Sequence, residues 1–85
     1  MIFRKKPALV VAARWNGTYT RDLEDVLKGH ECVISDSGSL TVPTLHGDTT
    51  AEMGDWVVRG EAGDIWPCKH SIFEETYDPV PAAAA

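Results

Sequence analysis

No apolar run in the chain approaches the roughly 20 residues a membrane-spanning helix needs. The N-terminus shows neither an apolar signal-peptide core nor a cleavage site, so the expected setting is cytoplasmic and away from membranes. Cysteine is scarce: Cys32 and Cys68 allow one disulfide at most, and in a reducing compartment two free thiols are expected. Without export, Asn16-Gly17-Thr18 has no meaning as a glycosylation triplet and reads as a turn. Positive charge is also short, with eight Lys and Arg against thirteen Asp and Glu and a net charge of −5. A net-acidic domain binds nucleic acid poorly, because phosphate contacts need clustered cations.

Catalytic signatures are missing too. There is no Gly-x-Ser-x-Gly elbow, no phosphate-cradling glycine loop and no His-Glu-x-x-His helix. Cys68 and His70 stand two residues apart, but a Cys–His nucleophile also needs an orienting third group and a substrate pocket. The acidic pairs Glu24-Asp25, Glu61 with Asp64, and Glu74-Glu75 lack the alternating oxygen spacing of a calcium loop and read as solvated faces. The expectation is therefore a non-enzymatic chain with no cofactor.

What is present is one small domain. A chain of 85 residues buries only about 60–65% of its unfolded surface, enough for a single modest core. Residues 1–80 are expected to form it, with 81–85 a disordered Pro/Ala tail. Charge divides unevenly: residues 1–14 carry +4 through Arg4, Lys5, Lys6 and Arg14, and the remainder carries −9. The Arg4–Lys6 cluster suits a solvated strand edge that resists edge-to-edge pairing.

Pro7 to Trp15 reads as a strand, apolar on both faces as far as Arg14, which suits a covered strand rather than an edge. Thr20 is the expected N-cap of a helix whose Leu23, Val26 and Leu27 make an i, i+3, i+4 stripe, with Gly29 at C′. Short strands follow: Cys32–Ser35 and Leu40–Val42 around the turn Asp36–Ser39, then Thr49–Ala51, Trp56–Arg59 and Asp64–Cys68. Pro43 marks an edge or bend, and Pro67 places its strand at an edge, because proline cannot donate to a ladder. Ser71 is the expected cap of one helical turn, and Glu75–Tyr77 reads as a final strand. These elements predict an α+β domain of five or six short, mostly antiparallel strands with one helix packed on the sheet. Leu9, Val11, Leu23, Val26, Leu27, Val33 and Ile34 are the expected core.

Several segments together resemble a family of small phage and prophage proteins. They are Phe3-Arg4-Lys5-Lys6-Pro7 before a strand ending in Trp15, and Leu40–Leu45 with Gly47-Asp48. The others are Gly54-Asp55-Trp56-Val57-Val58-Arg59-Gly60, Trp66-Pro67-Cys68-Lys69, Ile72-Phe73-Glu74 and Thr76-Tyr77. Met53 departs from the family's usual proline, and His70-Ser71 from its usual Pro-Asp; both bear on turn geometry. The resemblance implies phage origin and a host-cytoplasm setting. The family has no settled activity, so it supplies no site.

Two constellations remain as candidate sites. His30-x-Cys32 and Cys68-x-His70 form a Cys2His2 set that zinc would accept, against the simpler reading of two buried thiols and two surface imidazoles with no metal. Three tryptophans in 85 residues, with arginines nearby, suggest an aromatic–arginine patch of Arg14, Trp56, Arg59, Trp66 and Phe73. An edge strand carrying Trp66 and facing Arg59 is a natural docking place. Trp66→Ala is accordingly expected to weaken partner binding or self-association without unfolding the chain. The leading expectation is an accessory protein that binds and modulates a host or phage protein. The alternative is a small-ligand or nucleotide sponge that acts as a homodimer, whose interface supplies the concavity.

Overall fold

Strand β1 (Val11–Arg14) runs into Trp15, and the turn at Asn16-Gly17, with Gly17 at φ +89°, leads to helix α1 (Arg21–Leu27). The structure, a computed structural model, describes residues 1–3 and 9–79. The expected Arg4–Lys6 edge, the strand start at Pro7 and the tail 81–85 lie outside the described residues.

Helix α1 is built as its sequence predicts. Thr20 Oγ1 accepts the Leu23 N–H at 3.2 Å, satisfying a donor at the helix start. Asp22 and Glu24 sit in the first turn, where the helix dipole favours negative charge. Lys28 takes the left-handed conformation at the C-cap and Gly29 follows at φ +86°, so the chain leaves the helix within two residues. Seven residues cannot hold a helix in water alone, and the buried Leu23, Val26 and Leu27 stripe supplies the missing stability.

The remaining elements are β2 (Val33–Ile34), β3 (Leu40–Thr44), β4 (Gly47–Ala51), β5 (Trp56–Arg59), β6 (Ile65–Cys68) and α2 (His70–Thr76). The architecture is α+β, with every strand pair antiparallel. The strands form two sheets of three, ordered β1-β5-β6 and β2-β3-β4, rather than one sheet, and a second helix joins the first. Among the described residues, β6 borders only β5, so Pro67 does lie in an edge strand. Pro43 pairs with Asp48 beyond the last residue matched by β2, where its missing N–H costs no ladder bond.

One core joins both sheets to α1. Ala13, Trp15, Val57 and Ile65 meet Leu23, Val26 and Leu27 from the helix and Leu40, Val42 and Ala51 from the second sheet. Successive residues on a strand face opposite ways, so β5 sends Val57 into this core and turns Trp56 and Val58 to the other face of its sheet.

Several expectations fail at the edges. Leu9, at 72% exposure, precedes the paired part of β1, and Val11 stays 42% exposed. Strand β1 pairs only with β5 among the described residues, so it is an edge and not a strand covered on both sides. Val33 and Ile34 also lie exposed, because β2 is a two-residue rim strand with one neighbour among the described residues. Glu75 and Thr76 are helical and Tyr77 is the C-cap of α2, not a strand. Its N-cap is Lys69 rather than Ser71, and no side-chain hydrogen bond caps it. No helix among the described residues is long and apolar enough to cross a membrane.

Candidate functional site

The turn Met53-Gly54-Asp55 delivers Trp56 onto β5. Gly54 adopts φ +91°, which a side chain resists, and its N–H donates to the Trp15 carbonyl at 2.7 Å. Asp55 is buried, and its Oδ2 accepts from the Glu52 N–H at 3.0 Å and from Lys69 Nζ at 2.9 Å. One carboxylate thus ties the start of β5 to the start of α2. Its hydrogen bond and charge hold the Lys69 ammonium above the ordinary lysine range.

Helix α2 lies against the face of the first sheet that the main core leaves free. Phe73 stacks on Trp56 with ring centroids 4.1 Å apart and planes 8° from parallel, and Tyr77 tilts against Phe73 at 5.0 Å. Trp56 Nε1 donates to His70 Nδ1 at 3.0 Å. An indole nitrogen can only donate, so this bond requires an unprotonated Nδ1 and places the imidazole hydrogen on Nε2. His70 Nε2 faces Glu74 Oε1 at 3.0 Å, the partner such a hydrogen needs. Phe73 and Tyr77 share one helix face at i, i+4, as do His70 and Glu74.

The five residues of the expected patch are divided between surfaces. Arg14 is the cross-strand partner of Trp56, and its exposed guanidinium is steadied by Nε donating to the Gly54 carbonyl at 2.9 Å. Arg14, Trp56 and Phe73 therefore stand together. Trp66 is on the same sheet face, opposite Val58, with its ring against Gly60, where an added Cβ would come within 3.1 Å. Arg59 pairs with Val11 and Ile65 and so turns to the opposite face from Trp66, leaving the expected Trp66–Arg59 pairing unmade. Among the described residues, the Arg59 Nε is buried without a hydrogen-bond partner.

Beside the Trp56–Phe73 stack opens a groove of about 750 Å³, lined by Leu9, Val10, Ala12 and Tyr77 among others. A second concavity of about 400 Å³ lies between the β3–β4 turn at Leu45-His46 and the β6 edge at Trp66-Pro67.

The Cys2His2 alternative is not assembled. No group of three or more His, Cys, Asp or Glu side chains is close enough to hold a metal ion among the described residues. Cys32 and Cys68 are free thiols. Burial pushes both above the ordinary cysteine range, and for Cys68 the Asp55 carboxylate adds to the rise. Both nitrogens of His70 are engaged, by Trp56 and Glu74, so it offers Cys68 no base.

Sequence reasoning named Trp56 and Phe73 but missed His70, Glu74 and Tyr77 as their companions and Lys69–Asp55 as the tie. The spacing of His70, Phe73, Glu74 and Tyr77 carried the signal, since only a helix puts such positions in contact. No protein-family model, curated protein or solved structure matches the chain.

Proposed function

We propose that the chain is a non-enzymatic phage accessory protein that binds and modulates a host or phage protein through the Arg14–Trp56–Phe73 face. The observation that carries this reading is the Trp56–Phe73 stack, two half-buried rings at 4.1 Å set outside the main core and next to an exposed arginine. Aromatic and arginine side chains of this kind supply most of the energy at protein interfaces. The phage setting rests on the sequence resemblance. The non-enzymatic reading is supported by thiols pushed away from thiolate character and by a histidine with both nitrogens occupied.

Affinity capture from host lysate, read by mass spectrometry, tests the proposal. One protein recovered by the wild type and by a Thr49→Ala control, but lost with Arg14→Glu, supports it; equal recovery by Arg14→Glu contradicts it. Trp66→Ala extends the test along the same sheet face, and a loss of binding there enlarges the surface toward the β6 edge.

The groove volume favours a second reading. At about 750 Å³ it falls in the range of small-ligand sites, and a stacked aromatic pair suits a planar base. A nucleotide sponge must raise the melting temperature at saturating ligand by mass action. A shift with one nucleotide, abolished by Phe73→Ala, would favour this reading over a protein partner.

A further inference from the structure

We infer that Asn16 is a site of spontaneous covalent modification, at which the Asn16-Gly17 turn converts itself to aspartate and isoaspartate. The inference goes beyond the binding role and stands whether or not the aromatic face takes a partner.

The turn itself requires the residue pair that this reaction needs. Gly17 stands at φ +89°, where a side chain is strained, and a Cβ added there would meet Met53 Sδ and Cε at 3.1 Å. Glycine is thus held at position 17 by the turn, and it brings no side chain to screen its own nitrogen from Asn16. Both residues are exposed to water, and asparagine is among the thermally labile side chains. The bonds of this stretch are made by its neighbours. The Trp15 N–H donates to the Asp55 carbonyl at 2.8 Å, the Trp15 carbonyl accepts from the Gly54 N–H at 2.7 Å, and Thr20 Oγ1 accepts from the Leu23 N–H. Among the described residues, neither the Asn16 side chain nor the Gly17 N–H has a hydrogen-bond partner, so no bond must break before they react.

Water is the only co-reactant. The Gly17 nitrogen gives its proton to solvent hydroxide and attacks Asn16 Cγ. The new N–Cγ bond closes a cyclic imide, the Cγ–Nδ2 bond breaks, and the amide nitrogen leaves as ammonia. Water then opens the ring. Addition at Cγ restores the backbone and leaves aspartate, whereas addition at the Asn16 main-chain carbonyl carbon reroutes the backbone through Cβ and Cγ and leaves isoaspartate. Either product adds one negative charge, two residues from Arg14, to a chain of net charge −5. Only isoaspartate lengthens the link from β1 to α1, directly after the residue whose backbone is bonded to the β4–β5 turn.

Intact mass reads this site alone, because the sequence holds no other asparagine and no glutamine. Purified chain kept for days at body temperature should gain the mass of an NH2-to-OH exchange, faster in mildly alkaline than in neutral buffer. Fragmentation of the peptide that holds residue 16 should show isoaspartate beside aspartate. The folded chain should convert within about tenfold of the rate of the free peptide acetyl-Arg-Trp-Asn-Gly-Thr-amide, since no bond in the turn holds the reacting groups apart. Asn16→Ser should yield no more acidic species on ion exchange over the same period. Conversion more than about tenfold slower than the peptide, aspartate without isoaspartate, or acidic species formed by Asn16→Ser at the wild-type rate would overturn the inference.

Discussion

The indole N–H of Trp15 donates to the Gly38 carbonyl at 2.7 Å, so the residue that follows β1 closes on the turn joining β2 to β3. This bond spans the two sheets, and it lets a fully buried tryptophan satisfy its one polar atom. Trp15→Phe keeps most of the apolar ring but orphans the carbonyl, and should cost about 1–3 kcal/mol. Trp15→Ala also empties the core at the junction and should cost about 3–5 kcal/mol. Urea unfolding of the two variants checks the order.

Leu27 and Val33 were expected to be alike and are not. Leu27 is 1% exposed at the centre of the core, and Val33 is 65% exposed on the rim. Leu27→Ala should lose about 2–5 kcal/mol, and Val33→Ala should stay within about 0.5 kcal/mol. Comparable losses in denaturant titrations would contradict this placement of the core.

That contrast shows which parts of the fold could be read in the residues alone. Helix α1 was readable because its cap, its stripe and its terminal glycine are local and agree with one another. The β5–β6 hairpin was readable through its glycines and Pro67. Burial in the short strands was not, because Val33, Ile34 and Val11 have core-like side chains and only strand order decides what covers them. Only one turn of helix α2 was readable, because Thr76-Tyr77 has strand-like propensity, and the stack on Trp56 overrides it. At the candidate site, the residue types were visible in the sequence. The split of Arg59 from Trp66 depended on the β5–β6 register, which the geometry of the intervening turn sets.

Lys69 sets a pH limit at the alkaline end. Its folded-state pKa is raised, chiefly by the hydrogen bond and charge of Asp55. The bridge therefore contributes fully below the unfolded lysine value, about 10.4, and is lost as pH rises through the higher folded value. Lys69→Met should melt below the wild type at neutral pH, and the gap should close in strongly alkaline buffer. Melting curves that stay parallel across that range would speak against the bridge.

The two thiols should be sluggish nucleophiles. Burial raises both, so at neutral pH Cys32 and Cys68 should alkylate more slowly in the folded chain than after denaturation. Raising the pH should speed the folded-state reaction. A thiol that reacts faster folded than unfolded would reopen the question of a catalytic cysteine.

The most direct measurement of the binding surface is a hydrogen-exchange footprint of the chain on its captured partner. Protection gained on binding should concentrate in β1 around Arg14, in β5 at Trp56, and in residues 70–77. The outer face of the β2-β3-β4 sheet, at Thr41 and Thr50, should be unchanged. A footprint confined to that outer sheet, with Trp56 and α2 unaffected, would contradict the aromatic face as the site of binding.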